Sequence, residues 1–276
     1  MDSNSLVLTL LNMKGWGPNR IYSYVSKHGF NYSKCVNGLV EELNDEQKQI
    51  FKYQLVKAKQ TLQNNLDKGI SAINLLDEKF PKKLYFSTDK CVFLFYVGDI
   101  NLLSQKSIAI IGTRKPDEEF IDKGIKATKY FAEKGYVIVS GLALGCDSVA
   151  HEACLDVYGK TIAVLPSPCD NPQPVSNKLL AKRIVSNGGL LISEYSTGVP
   201  VSKFNYPQRD RIQSLLTTVV LIIQAEDNSG TMIATKKAIK DNKTVFAIKG
   251  NKISIVHRYV DVDDEYSLQD VKSYIL

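Results

Sequence analysis

Four segments of the sequence carry glycine, hydroxyl or cationic residues beside short apolar runs. One segment follows the run SIAIIG, and a second begins with the last two residues of the run YVIVSG. The other two lie before and after the run TVVLII. Backbone N–H groups, hydroxyls and guanidinium groups are the donors with which proteins bind phosphate. The sequence therefore predicts an anion site. Its candidate residues are Thr113, Arg114, Ser140, Gly141, Lys203, Arg209, Arg211, Ser229, Gly230 and Thr231.

Each of these features also has an ordinary structural explanation. A glycine after a strand most often forms a turn, and Arg209 and Arg211 can form surface salt bridges of little energy. The candidate carboxylates for such pairs are Asp210, Glu226 and Asp227. We expect His151 to be a core or capping histidine rather than a catalytic base. The anion site is favoured because the carboxyl ends of parallel strands meet at one edge of a sheet, where all four segments would converge.

The sequence lacks the fingerprints of common phosphate-bearing cofactors. GTRKP does not follow the GxGxxG spacing, and there is no Walker GxxxxGK[ST] sequence, no G-x-S-x-G elbow and no carboxylate dyad beside a histidine. The five cysteines form neither a CxxC pair nor a Cys/His cluster. We therefore expect no cofactor, no metal and no catalytic residue. The anion that the predicted site binds is not expected to be a classical dinucleotide.

The apolar runs that must position these residues alternate with helix-length amphipathic segments from about Ile70 onward. The runs cover residues 70–76, 92–98, 107–112, 136–141, 161–166, 190–194, 218–223 and 244–248. Alternation of β-branched runs with helices predicts an α/β protein with a parallel sheet covered on both faces. With 44% hydrophobic residues among 276, the chain can bury a core of that size.

A different pattern precedes the alternating segments. LVLTLLNMKGWGPNRIYSYVSKHG predicts two helices separated by GWGP, and NDEQKQIFKYQLVKAKQTLQNNL predicts a third. We therefore divide the chain into a helical N-terminal domain (1–68), a sheet domain (69–250) and a polar, peripheral C-terminal end segment (251–276).

Charge and hydropathy bear on the partners and the cellular location of the protein. The net charge of +6 and the pI of about 8.9 permit a polyanionic partner. No apolar run approaches the ~18–20 residues of a membrane span, and the start lacks the basic region of a signal peptide. We expect a cytoplasmic protein that does not bind the membrane.

Six segments follow one another in a characteristic order. They are SIAIIGTRKPDEEF, YVIVSGLALGCDSVAHEACL, GKTIAVLPSPCDNP, GGLLISEYSTGVP, YPQRDRIQSLLTTVVLIIQAEDNSGTMIATKKAI and TVFAIKG. In this order they resemble the DNA-processing protein A family, also called DprA or Smf. The resemblance covers nearly the whole chain. It implies an extended Rossmann-like sheet domain preceded by a small all-α domain of the SAM or helix-hairpin-helix type.

The resemblance also implies site residues. Gly112, Thr113 and Arg114 match a first phosphate-binding turn, and Ser140 and Gly141 match a second. The further matches are a cation and a stacking aromatic (Lys203, Tyr206), paired arginines (Arg209, Arg211) and a helix-start loop (Ser229, Gly230, Thr231).

Two positions depart from the family pattern and lower the positive charge near the implied site. Leu144 stands where the family usually has arginine, and Asp210 stands where it usually has asparagine.

The resemblance implies a function in handling single-stranded DNA. Family members bind single-stranded DNA, load the RecA recombinase onto it and protect incoming strands during natural transformation, and they are not enzymes. We therefore expect a homodimeric DNA-binding protein without strong sequence preference, whose partners are single-stranded DNA and RecA.

Two other functions stay open at this point. A nucleotide phosphoribohydrolase of the lysine-decarboxylase-like kind uses a related Rossmann sheet and a late glycine-threonine loop for phosphate. Its signature PGGxGTxxE is absent from EDNSGTMIATKKA, which has one glycine and no matching acid. The other alternative is a divergent family member with another role in DNA handling.

Overall fold

Capping side chains set the boundaries of the first helices. In the computed structural model, which describes residues 1–275, Asp2 accepts from the Ser5 N–H (2.9 Å), and Asn44 forms a capping box with Gln47. These contacts satisfy N–H groups that have no intrahelical partner. The helices are α1 (Ser3–Leu11), α2 (Pro18–Lys27), α3 (Tyr32–Glu42) and α4 (Asp45–Leu66). The sequence did not predict α3, because polar residues and a glycine interrupt its apolar pattern.

Each of the eight predicted apolar runs contains a strand of one nine-stranded sheet. The strands are β1 (Ser71–Asn74), β2 (Phe93–Gly98), β3 (Ser107–Ile111), β4 (Val137–Ser140), β5 (Thr161–Leu165), β6 (Leu190–Ser193), β7 (Val219–Ile222), β8 (Thr244–Ile248) and β9 (Tyr259–Val260). Their spatial order is β1-β2-β6-β5-β4-β3-β7-β8-β9. The predicted α/β fold is confirmed with one correction: β2 pairs antiparallel with both β1 and β6.

The connections place a topological switch point between β4, β3 and β7. From β3 the chain adds β4, β5 and β6 on one side and then returns to add β7 and β8 on the other. The covering helices are α5 (Lys82–Phe86), α6 (Glu118–Glu133), α7 (Cys146–Asp156), α8 (Lys178–Ser186), α9 (Asn205–Leu215), α10 (Gly230–Lys240) and α11 (Glu265–Ser273). Ligands of open parallel sheets bind beyond the carboxyl ends of the strands at such a point.

The core is continuous between the N-terminal helices and the sheet. Leu6 and Leu10 of α1 belong to the same buried cluster as Leu94 and Phe95 of β2. The helices thus cover the antiparallel end of the sheet. A domain boundary at residue 68 stays a prediction, because the packing does not divide there.

The C-terminal segment is integrated into the sheet domain. β9 extends the sheet beside β8, and Leu268 and Val271 of α11 are buried with Phe131 and Phe246. The segment thus lies at one edge of the sheet and packs against it, and its separation as an end segment stays a prediction. Its acidic residues lie outside, while the apolar residues between them complete the core.

Two negative findings concern membranes and metals, and a third observation concerns the cysteines. None of the helices within residues 1–275 is both long and apolar enough to cross a bilayer. The same residues contain no cluster of three or more His, Cys, Asp or Glu side chains placed to hold a metal ion. All five cysteines are free and buried.

Candidate functional site

A cavity of about 860 Å³ lies beyond the ends of β3 and β7, at the switch point. Its walls come from the loop after β3, the start of α9 and the start of α10. Nine predicted site residues line it: Gly112, Thr113, Arg114, Lys203, Tyr206, Arg209, Ser229, Gly230 and Thr231. The other three, Ser140, Gly141 and Arg211, are not part of its lining.

The loop after β3 packs tightly between two neighbouring segments. The Thr113 N–H donates to the Gln224 carbonyl (2.7 Å), and the Thr113 carbonyl accepts from the Cys146 N–H (3.0 Å). Glycine is required at position 112, because a Cβ there would lie 2.5 Å from Cys146 Sγ. This packing fixes the loop and leaves Arg114 exposed at the edge of the cavity.

Exposed cations surround the mouth of the cavity, which we call the rim. Arg114, Lys115 and Lys203 are exposed and line it. The guanidinium carbon of Arg114 lies 5.3 Å from the centroid of the Tyr206 ring, a cation–π distance. Tyr206 is half-buried, so its ring lies in the cavity wall rather than in the core. The rim therefore offers phosphate-binding cations beside an aromatic face.

The start of α10 faces the same cavity. Ser229 occupies the N-cap position without a side-chain capping bond, and its hydroxyl donates to the Glu226 carbonyl instead (2.7 Å). The first N–H groups of a helix lack intrahelical partners and lie at the positive end of its dipole. Because Gly230 and Thr231 line the cavity, α10 presents backbone donors suited to an anion.

The deeper wall of the cavity, which we call the floor, holds a buried arginine between two carboxylates. Arg209 is 5% exposed, and its Nη1 lies 3.6 Å from Asp147 Oδ2. Its Nε lies 2.9 Å from Asp210 Oδ1. Burial raises the pKa of both carboxyls, and the charge of Arg209 opposes that effect only in part. Arg209 is therefore paired within the protein, and its contact with Asp210 is buried rather than on the surface.

Ser140 and Gly141 lie behind this floor. The Ser140 hydroxyl donates to a backbone carbonyl of β3 (2.7 Å), and a Cβ on Gly141 would lie 1.2 Å from Arg209 Nη1. The Gln213 amide donates to Asp210 Oδ1 (3.2 Å) and accepts from the Gly141 N–H (2.9 Å). The hydroxyl of Ser140 and the N–H of Gly141 thus have partners inside the protein, and the glycine makes room for a guanidinium. Their role as a second phosphate-binding turn stays a prediction.

Arg211 points away from the cavity. Its Nη2 donates to both carboxylate oxygens of Glu194 (2.6 and 2.7 Å), and its Nε donates to Gln208 Oε1 (3.1 Å). The residue is 5% exposed. The structure thus places Arg211 in a buried ion pair against the end of β6, and none of the three partner acids that we considered is its partner.

Two residues of the cavity were not predicted from the sequence, Asp147 of the floor and Lys115 of the rim, whereas Asp210 was expected near the site and was considered as a partner of Arg209. Lys115 follows Arg114 directly, so membership of the same loop could have revealed it. Asp147 resembles any acid in the first turn of a helix, and only the fold shows it facing Arg209. The expectation for His151 agrees with the structure, where the fully buried ring lies 2.7 Å from Thr161 Oγ1.

Comparison with known sequences points to one family. The family described as DNA recombination-mediator protein A matches residues 71–257. The DNA processing protein DprA of Streptococcus pneumoniae is 37% identical over 183 residues, which are 65% of this chain and 63% of that protein. The protein of the same name from Bacillus subtilis is 33% identical over 186 residues, 67% of this chain and 62% of that protein. The chain thus spans less than two thirds of the length of these relatives.

Two solved structures share the fold over most of the chain. The X-ray structure of DNA processing protein A from Streptococcus pneumoniae matches with a TM-score of 0.74 and 26% identity, covering 99% of this chain and 93% of the other. DNA processing protein A from Helicobacter pylori, described for its single-stranded DNA binding mode, matches with a TM-score of 0.63 and 29% identity, covering 74% of this chain and 97% of the other. The resemblance predicted from the sequence is thus confirmed, and the chain belongs to the DNA recombination-mediator protein A family, whose members include proteins named DprA and Smf.

Proposed function

We propose that the cavity binds single-stranded DNA, with phosphates at the rim cations and a base against Tyr206. The observation that carries this proposal is the position of the Arg114 guanidinium 5.3 Å from the Tyr206 ring, at the mouth of a cavity that also receives the start of α10. A guanidinium can donate two hydrogen bonds to one phosphate, and an aromatic face stacks on any base. Similarity to the Helicobacter pylori protein, described for its single-stranded DNA binding mode, supports the proposal.

Family membership supports a proposal for the cellular role. We propose that the bound strand is protected and passed to a RecA recombinase, that the protein acts as a homodimer, and that it catalyses no reaction. The support for this part is the family match over residues 71–257. A divergent role in DNA handling would use the same cavity and the same contacts.

The floor carboxylates favour a second candidate function. Acid–base catalysis uses carboxyls with a raised pKa, and burial raises the pKa of both Asp147 and Asp210. The alternative is therefore a nucleotide phosphoribohydrolase. It predicts the release of free base from a nucleoside monophosphate, which chromatography detects. DNA binding without base release would favour the first function.

The salt dependence of binding tests the phosphate contacts. Each contact to a single strand adds about 0.7 to the slope of log affinity against log salt. Arg114→Ala should bind a fluorescein-labelled strand more weakly and with a shallower slope, measured by anisotropy across a salt series. Lys134→Ala removes an exposed cation that precedes β4, at the opposite edge of the sheet, and should leave both quantities unchanged. An unchanged slope in folded Arg114→Ala would remove the rim from the DNA site.

A second pair of variants tests the stacking face. Stacking on one aromatic contributes about 1–3 kcal/mol per base, so Tyr206→Ala should weaken binding by that amount while Tyr206→Phe retains most of it. Thermal melting separates stacking from packing: if Tyr206→Ala melts several degrees lower and loses affinity only with its folded fraction, the ring is a packing residue. Equal affinity for a duplex of the same length would contradict a single-strand site.

A further inference from the structure

The balance of charge in the cavity changes with depth. At the rim, three exposed cations (Arg114, Lys115 and Lys203) outnumber the exposed carboxylate Glu226. In the floor, two carboxylates outnumber the buried Arg209: Asp147 and Asp210, whose side chains are 7% and 22% exposed. A phosphate is attracted to the rim and repelled by the floor. If a nucleotide enters with its phosphate at the rim, the part that reaches the floor must be the base, which is uncharged.

The two oxygens of Asp210 differ in their surroundings. Oδ1 faces the Arg209 Nε (2.9 Å) and accepts from the Gln213 amide (3.2 Å). Within residues 1–275, no side chain or backbone group donates to Oδ2, although Asp210 lines the cavity. An ionised carboxylate can only accept hydrogen bonds. The free oxygen therefore suits a ligand group that donates.

Asp147 is less available to a ligand than Asp210. Its Oδ2 faces Arg209 and accepts from the Ala143 N–H (3.3 Å). Its side chain is also the less exposed of the two. Asp210 is thus the floor residue from which a base edge can be read.

We propose that Asp210 makes the cavity discriminate between bases, by accepting a hydrogen bond from an exocyclic amine and repelling a carbonyl at the same position. Cytosine carries an amine at C4, and thymine carries a carbonyl oxygen there. Adenine and guanine also bring amines. The cavity should therefore favour cytosine over thymine, two pyrimidines of similar size and stacking area. This inference rests on the proposed binding of single-stranded DNA.

The test compares labelled oligo-dC and oligo-dT of equal length, bound to the full chain near neutral pH and followed by anisotropy. A hydrogen bond to a charged group is worth enough to favour oligo-dC by about tenfold. A strand of N4,N4-dimethyl-2′-deoxycytidine, which keeps the ring and the sugar and removes the donor, should bind the unaltered protein about as weakly as oligo-dT. This probe needs no variant, so it decides the question even if a floor variant fails to fold.

Two variants that remove the same charge locate the effect. Asp210→Asn replaces the carboxylate with an amide, which can accept a hydrogen bond from an amine or donate one to a carbonyl. The variant should therefore bind oligo-dC and oligo-dT about equally. Its affinity for both strands should rise, because a negative charge is lost. Glu226→Gln removes another carboxylate of the same cavity, an exposed one. It should raise affinity for both strands alike and keep the preference.

The outcomes separate this inference from the proposed function. Equal binding of oligo-dC and oligo-dT by the unaltered protein would overturn the role of Asp210 and leave the DNA site standing. A preference that survives Asp210→Asn would overturn it as well. Failure to bind either strand would overturn the proposed function and this inference with it.

Discussion

Two arginines that are two positions apart in the sequence have opposite surroundings in the fold. Arg209 lies beneath the cavity with Asp147 and Asp210, whereas Arg211 pairs with Glu194. Consecutive residues of an α-helix are about 100° apart around the axis, so residues two apart point in nearly opposite directions. Once Arg209 and Arg211 are assigned to α9, they cannot both face one ligand.

The buried ion pair predicts a stability effect without a binding effect for Arg211. Removing one partner of a buried pair costs about 3–5 kcal/mol, because the other charge is left without compensation. Arg211→Ala should therefore lower the free energy of unfolding in urea by that amount. Arg183→Ala removes an exposed arginine of α8 and should change it by less than about 0.5 kcal/mol.

The DNA affinity of folded Arg211→Ala separates the two possible roles. Measured well below its melting temperature, it should equal that of the unaltered protein. A marked loss of affinity and a shallower salt slope at unchanged stability would instead make Arg211 a phosphate ligand, as the sequence analysis expected.

At the scale of elements, strand positions were predictable and strand directions were not. Each predicted run contains a strand because β-branched apolar runs need burial wherever they lie. The antiparallel direction of β2 depends on its pairing with β6, about a hundred residues away, and the run itself carries no sign of it. β9 has two residues and is too short to produce a pattern.

For the same reason, the rim of the site could be predicted from the sequence and most of its floor could not. Thr113 and Arg114 directly follow an apolar run, and Ser229 lies in the loop after another, so the position of the strand predicts the position of the residue. The floor depends on contacts between loops. The sequence around Gly141 matches an anion-binding turn, and only the fold shows that Arg209 occupies the space in which a Cβ on Gly141 would lie.

The contact between α7 and β5 predicts a pH dependence of stability. His151 of α7 is fully buried beside Thr161 of β5, and burial lowers its pKa from 6.5 to about 3. As the pH falls through about 6.5, His151 therefore takes up a proton in the unfolded chain but stays neutral in the folded protein. Stability is complete above that pH and falls by up to about 1.4 kcal/mol for each pH unit below it.

A variant that cannot titrate isolates this contribution. His151→Asn should be less stable at neutral pH, because the contact with Thr161 is weakened, but it should lose less stability about 1.5 pH units lower. Asp147 and Asp210 act with the opposite sign, since their raised pKa values make protonation easier in the folded state. Urea titrations of both proteins at the two pH values give the difference. If both proteins lose the same stability between the two pH values, the titration of His151 does not cause the loss of stability in acid.

At the scale of the whole molecule, hydrogen bonds and an ion pair join the N-terminal helices to the sheet. The Asn4 side chain donates to the Ala72 carbonyl (3.1 Å), and the Thr197 N–H donates to Asn65 Oδ1 (3.1 Å). Lys68 also forms an ion pair with Asp170 (2.6 Å). The change of sequence pattern near residue 69 therefore marks a change of secondary structure more clearly than a break in packing.

Removing residues 1–68 tests whether the sequence boundary is also a folding boundary. The chain from residue 69 onward keeps every strand and every residue of the cavity, so we expect it to fold, to melt cooperatively and to keep its affinity for single-stranded DNA. It exposes apolar surface of β1 and β2 that α1 covers in the full chain. Its melting temperature should therefore be lower, by about 2–4 °C for each kcal/mol lost. The full chain carrying Leu10→Ala provides a reference, because a buried leucine truncated to alanine costs about 2–5 kcal/mol. If the shortened chain is insoluble or melts without cooperativity while Leu10→Ala folds normally, the helices and the sheet form one unit, and the boundary at residue 68 divides only the sequence pattern.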